Sequence, residues 1–238
     1  MLVAATTAGM NMPNETYLRL MVWLLASTLL VSAIFTSFPQ LDLYASARFF
    51  RDGFWLYELG FTRVVREIFL WFMYAFGLGV GLAFIYALLR RRPLRGLGYG
   101  VSLILLGPLL LVNTLLKDNW GRARPIDVTD FGGDSLFTPA YLFTDQCGKN
   151  CSFTSGEGGG IATVAILIGF WAWPHLQRRG RLWLGMALGL MVFIVAGLRV
   201  AMGQHFLSDT LLSILFCALV AAVLYRLFYP ARAAKTPA

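Results

Sequence analysis

The stretch LGYGVSLILLGPLLLVNTLL, residues 97–116, contains no charged residue and is followed at once by Lys117. A helix of about 20 apolar residues is long enough to cross a hydrocarbon core of about 30 Å. Similar apolar stretches lie at about 20–38, 68–89, 159–173, 182–198 and 207–228. The sequence therefore predicts an all-α fold, a polytopic membrane bundle of six transmembrane helices.

The composition supports a membrane protein. Of the residues, 58% are hydrophobic and 13% are charged, whereas soluble domains carry about 25% charged residues. This contrast excludes a disordered chain and argues against a water-soluble domain. The net charge of +8 would suggest a nucleic-acid partner in a soluble protein. The positions of the bases, however, explain the charge without nucleic acid.

Half of the 20 bases lie in the gaps 90–96 and 174–181 and around the end of the last apolar stretch, with no acid among them. Bases of this kind mark the cytoplasmic side of a membrane. Six spans then place both termini in the cytoplasm, and the outer segments are 39–67, 117–158 and 199–206. We expect the first span to be a retained anchor, since no convincing cleavage site follows it. The aromatic-rich residues 49–61 could form an amphipathic interfacial helix.

Cations and a glycine turn stand at the outer ends of these spans. Lys117 closes the third span, Arg124 follows it, and Arg199 closes the fifth. The turn Ser155-Gly156 precedes the fourth span, where free backbone N–H groups and the helix dipole favour an anion. These groups predict an anion site.

A histidine lies on the same side. His205 and Asp209 are four residues apart and share one helix face at the start of the sixth span. We expect Asp209 to accept the second ring N–H of His205 and so fix its tautomer. An oriented histidine beside an anion site suggests phosphoryl transfer. No metal is implied, because His175 lies on the cytoplasmic side and no carboxylate cluster has ligand spacing.

The pattern resembles the type 2 phosphatidic acid phosphatase (PAP2) superfamily, whose motifs are K-x6-R-P, P-S-G-H and S-R-x5-H-x3-D. The resemblance covers about residues 68–228 of a chain that we treat as a single domain, 1–238, with 39–67 as an outer interfacial segment. Leu198 replaces the serine of the third motif. The residues that match the first and third motifs are Lys117, Arg124, Pro125, Arg199, His205 and Asp209.

The resemblance implies a role for each of these residues. His205 would attack phosphorus and form a phosphohistidine, and Asp209 would orient it. No cofactor is implied. The groups that would bind the phosphoryl oxygens are Lys117, Arg124, Ser155, Gly156 and Arg199.

The second motif departs from the family. Thr154-Ser155-Gly156-Glu157 stands where Pro-Ser-Gly-His is expected, and the histidine of that motif protonates the leaving group. Glu157 could be a working acid that is protonated when a dianionic substrate arrives. Alternatively, the substrate could have a good leaving group, such as the phosphate of a lipid diphosphate. A third alternative is an impaired enzyme or a binder of lipid phosphates.

The resemblance implies a lipid phosphate phosphatase, acting on a phosphomonoester or a diphosphate. It implies a multi-pass protein of the bacterial inner membrane with a periplasmic active site. Lipid A is the lead substrate, because residues 147–153 resemble the lipid A phosphatase branch; undecaprenyl diphosphate, phosphatidylglycerophosphate and phosphatidic acid are the other candidates. A lipid-to-lipid phosphotransferase with the same intermediate is the alternative enzyme.

The chain contains three cysteines. Cys147 and Cys151 lie in the polar outer segment, where an oxidising compartment would permit a disulfide; two free thiols are the alternative. Cys217 lies within an apolar stretch and is interpreted as a core residue.

Overall fold

A computed structural model describes residues 12–231, and within this range six helices are long and apolar enough to cross a membrane. No strand occurs among the described residues, which contain only two isolated bridges. The prediction of an all-α bundle with six spans is therefore confirmed. The long helices are α1 (Asn14–Ser37), α4 (Gly60–Leu89), α5 (Arg95–Lys117), α6 (Gly156–Ala172), α7 (Arg178–Ala201) and α8 (Leu207–Phe228).

Helix α8 lies at the centre of the bundle and packs against α1, α5 and α6. A glycine permits its close approach to α6. A Cβ on Gly159 would lie 2.6 Å from Ser213 Oγ and 2.9 Å from Cys217 Sγ, so no larger residue fits there. Cys217 is buried at this crossing, as predicted for a core residue. The two helices that open on the candidate site, α6 and α8, are thereby fixed against each other.

The outer segment after α1 differs from the prediction. Helix α4 begins at Gly60, and two short helices, α2 (Gln40–Ala47) and α3 (Trp55–Glu58), precede it. The expected amphipathic helix over residues 49–61 does not form as one element. Asp52 and Gly53 both have positive φ, at 53° and 154°, and their turn interrupts any helix.

Helix α4 begins earlier than predicted because arginines and glutamates at the end of a span can stay in the helix while their long side chains carry the charged groups to the membrane interface. A hydropathy reading counts them as loop residues, although they continue the helix. The change is important for the site, because it brings Arg63 and Arg66 onto the first two turns of a spanning helix.

Helix α5 changes its winding in its second half. Residues Leu105–Lys117 form a π-helix that contains Pro108. The Asn113 side chain donates a hydrogen bond of 2.7 Å to the Pro108 carbonyl. Wide turns of this kind are frequent at functional sites. This one ends on Lys117.

The membrane orientation remains a prediction. The bases Arg232 and Lys235 of the C-terminal tail and residues 1–11 lie outside the described range.

Candidate active site

The predicted site residues meet at one end of the bundle, where α5 and α7 end and α6 and α8 begin. A cavity of about 470 Å³ opens there, bounded by α4, α5 and α6. His205, Asp209 and Ser155 lie buried behind its wall. The charged residues that line the cavity are Arg63, Arg66, Glu67, Lys117, Arg124, Glu157 and Arg199.

The ring of His205 has a defined tautomer. Its Nδ1 lies 2.7 Å from the backbone carbonyl oxygen of Ser152. A carbonyl only accepts, so Nδ1 carries the hydrogen and the lone pair is on Nε2. Burial, reinforced by the charges of Arg199, Lys117 and Arg124, holds the pKa of His205 well below its usual range. The ring is therefore neutral at pH 7, as a nucleophile requires.

Asp209 does not contact the imidazole in the way that the spacing predicted. It is the third residue of α8, and its carboxylate turns back to accept the Phe206 N–H at 3.0 Å. The same carboxylate accepts the hydroxyl of Ser152 at 2.5 Å. Since the Ser152 carbonyl accepts from His205, Asp209 acts on the histidine through Ser152. The motifs do not include Ser152, which contacts His205 through its backbone carbonyl and Asp209 through its hydroxyl.

Arg122 is a second buried partner of Asp209. Its guanidinium, fully shielded from solvent, lies 2.5 Å from Asp209 Oδ1 and 2.8 Å from Asp42 Oδ2, and donates to Ser208 Oγ at 3.0 Å. Burial lowers the pKa of Arg122, but the carboxylates of Asp209 and Asp42 outweigh it and raise the pKa above its ordinary value. We call Asp42, Arg122, Ser208 and Asp209 the Arg122 network.

The cation site, formed by Lys117, Arg124 and Arg199, is built for an anion. Arg199 is 5% exposed, and its Nε has no hydrogen-bond partner within residues 12–231. A buried guanidinium N–H without a partner is costly, and a phosphate oxygen would satisfy it. Arg124 is oriented by Gln204 Oε1 at 2.5 Å and by the Asn150 carbonyl at 2.8 Å.

Ser155 and Gly156 form the turn before α6. Ser155 is the N-cap residue, and its hydroxyl accepts the Gly158 N–H at 3.2 Å. An accepting hydroxyl still has its own hydrogen to donate. Gly156 lines the cavity, and a Cβ there would lie 2.3 Å from Asn113 Oδ1. The glycine therefore allows the first turn of α6 to approach Asn113 of α5 closely.

Glu157 faces a partner that the sequence did not indicate. Its Oε1 accepts from Arg66 Nε at 3.0 Å and from Arg66 Nη2 at 2.8 Å, and lies 3.6 Å from Arg199 Nε. Arg66 lies outside the stretch that resembled the family, in a segment read as an outer loop. No signal in the sequence pairs it with Glu157.

A disulfide joins Cys147 and Cys151, whose Cα atoms are 5.7 Å apart. The residues after it are tied to the end of α5. Cys151 N donates to the Lys117 carbonyl at 3.1 Å, and Ser152 N donates to the Arg122 carbonyl at 2.8 Å. The disulfide therefore adjoins the segment that orients His205.

Comparison with known proteins agrees with the motifs. The PAP2 superfamily profile matches residues 95–233, more than half of the chain. The chain is 30% identical to a lipid A 4'-phosphatase of Rhizobium etli over 82% of each chain, and 28% identical to one of Rhizobium leguminosarum over 82% of this chain and 90% of that protein. It is 35% identical to a lipid A 4'-phosphatase of Francisella tularensis subsp. novicida over 52% of this chain and 54% of that protein. No solved structure matches it significantly. The family predicted from the motifs is thus confirmed, and the chain belongs to the PAP2 superfamily.

Proposed function

We propose that this membrane phosphatase removes a phosphate from lipid A, at the periplasmic face of a bacterial inner membrane. The observation that carries the proposal is the cavity itself, which combines the cation site with an apolar extension. Curated relatives that cover most of the chain carry the name lipid A 4'-phosphatase. The basic segments at the opposite end of the bundle support the periplasmic orientation.

The apolar part of the cavity favours a lipid over a soluble phosphate ester. Below the cations, the wall is formed by Leu70, Met73 and Phe76 of α4 and by Ile104 and Leu109 of α5. Burying such surface against an acyl chain contributes about 0.8 kcal/mol per CH₂ group. A lipid can therefore place its phosphate at the cation site while a chain runs down between α4 and α5.

The reaction follows from the tautomer of His205. Nε2 attacks phosphorus, the bond between phosphorus and the lipid oxygen breaks, and the leaving oxygen takes a proton from Glu157. The Glu157 carboxylate, ion-paired with Arg66 in the free protein, gains this proton when the dianionic substrate arrives. Water then attacks the phosphohistidine. The Glu157 carboxylate takes a proton from that water, and inorganic phosphate leaves with His205 neutral again. Lys117, Arg124 and Arg199 stabilise the charge on the phosphoryl oxygens throughout.

The test is phosphate release by the purified protein from lipid A, undecaprenyl diphosphate, phosphatidylglycerophosphate and phosphatidic acid. We expect the highest rate with lipid A. Glu157→Gln should lose about 100-fold or more on a monoester but less than about tenfold on the diphosphate, whose leaving group needs little protonation. Product analysis with labelled lipid separates hydrolysis from transfer to a second lipid.

Two outcomes would overturn the proposal. The first is an absence of phosphate release from all four lipids. If Glu157→His gains activity in that case, the protein is an impaired enzyme that binds lipid phosphates. The second is a higher rate of release from one of the other three lipids, which would replace lipid A as the substrate. A Glu157→Gln variant with wild-type rates on lipid A would remove only Glu157 from the mechanism.

Asp209→Asn is expected to lower turnover by about 100-fold. The loss is smaller than the roughly 10⁴-fold effect found where a carboxylate contacts the catalytic imidazole directly, because Asp209 acts through Ser152. The Michaelis constant should change little, since the cation site is intact. Asp130→Asn, a change at an exposed acid of the outer segment, is the matched control. Unchanged turnover in Asp209→Asn would show that the carboxylate has no part in orienting His205.

A further inference from the structure

Arg66 is the one arginine of α4 that reaches a side chain of the candidate motifs within residues 12–231. It lies on the second turn of the helix, outside the part of the chain that matches the family profile. Its side chain is 29% exposed and that of Glu157 is 14% exposed. The pair is therefore partly shielded from solvent, where an ion pair with two hydrogen bonds is stronger than at the surface.

The same carboxylate stands beside the cation site. Glu157 Oε1 is 3.6 Å from Arg199 Nε, the buried N–H group that has no hydrogen-bond partner in the described part of the chain. A hydrogen bond between these atoms needs about 2.7–3.2 Å, so a shift of well under 1 Å would form it. Glu157 can thus compete with a phosphate oxygen for Arg199.

Arg66 prevents this shift by geometry. Its Nε and Nη2 both donate to the oxygen that faces Arg199, at 3.0 and 2.8 Å. Arg66 also donates to Glu67 at 3.1 Å, which fixes the guanidinium from the other side. Arg66 therefore binds both carboxylates that line the cavity, and the ion pair between Glu157 and Arg199 stays at 3.6 Å, longer than a hydrogen bond.

We propose that Arg66 is a positioning residue that holds the Glu157 carboxylate away from Arg199 and so keeps the cation site free for the substrate phosphate. The inference rests on the proposed function, because it takes the cation site as the phosphate site. It also accounts for the tolerance of an acidic residue, where the family has histidine, next to three phosphate-binding cations. Glu157 and Arg66 then act together, because the position of the carboxylate depends on the guanidinium.

The test is binding of inorganic phosphate to the full chain in detergent, measured by titration calorimetry without turnover. Arg66→Leu should weaken binding about tenfold, because Glu157 moves onto Arg199. Arg48→Leu removes the same charge from the exposed end of α2, at a residue that does not line the cavity, and should change affinity less than about twofold. Arg66→Gln, whose side chain is polar but shorter and uncharged, should behave as Arg66→Leu does.

The decisive variant is the double change Arg66→Leu with Glu157→Gln. If Glu157 is the competitor, the double variant binds phosphate as tightly as Glu157→Gln alone. A double variant that binds phosphate as weakly as Arg66→Leu would show that Arg66 binds the anion itself. Unchanged phosphate affinity in Arg66→Leu would show that Arg66 neither positions Glu157 nor binds the anion. Either result overturns the inference while the proposed function stands. A wild-type protein that binds no phosphate contradicts the proposed function and the inference together.

Discussion

His205→Ala is expected to abolish phosphate release while phosphate binding stays close to that of the wild type. The variant removes Nε2, the atom that attacks phosphorus, and loss of a covalent nucleophile costs about 10⁴-fold or more in turnover. The cation site does not depend on the imidazole, because Arg124 is oriented by Gln204 and Asn150. Phosphate release from lipid A and calorimetric titration with phosphate measure the two properties separately.

The control for this variant is His175→Ala. His175 is exposed at the opposite end of the bundle, and its replacement should leave turnover unchanged. Residual turnover of His205→Ala within about tenfold of the wild type would mean that another group, or water itself, attacks phosphorus.

Arg122→Leu is expected to destabilise the protein by about 3–5 kcal/mol, the cost of leaving buried charges without their partner. The buried carboxylates of Asp42 and Asp209 would lose the guanidinium that lies 2.8 and 2.5 Å from them. Asp42 belongs to α2 and Asp209 to α8, so the change also removes the guanidinium that bridges these helices and leaves Asp42 joined to α8 by its hydrogen bonds from Ser208. The thermal unfolding midpoint in detergent is the measurement, and we expect a large decrease or a failure to accumulate.

Two further variants test whether the loss of stability comes from the buried contacts of Arg122. Arg48→Leu removes an exposed arginine from the end of α2 and should leave the midpoint nearly unchanged. Arg122→Lys keeps the charge but not the planar fork that reaches both carboxylates, and should give an intermediate loss. An Arg122→Leu variant as stable as the wild type would contradict the role assigned to the Arg122 network.

The fold and the position of the site could be predicted because both depend on local patterns. The length of the apolar stretches identifies the spans. Because successive spans run in opposite directions, the ends of α5 and α7 lie beside the starts of α6 and α8. Motif spacing then identifies the residues that meet there. Lys117, Arg199 and Glu157 line the cavity at that end of the bundle, and their roles remain predictions.

The contacts that orient the site could not be predicted. The i, i+4 spacing places His205 and Asp209 on one face, but it does not show that a residue at the third helical position turns back to the helix start. The partner of His205 is a backbone carbonyl, which any residue at position 152 would supply. Asp42 and Arg66 come from a segment that the apolar pattern leaves undefined, and only the tertiary fold brings them to the site.

The most direct test of the mechanism is detection of the phosphohistidine. Lipid A labelled with radioactive phosphate is mixed with the purified protein, the reaction is quenched in alkali, where phosphohistidine survives, and the labelled peptide is identified. The account predicts label on the peptide that contains His205 in the wild type and none in His205→Ala. Phosphate release by the wild type with no label on His205, or with label on another residue, would contradict it.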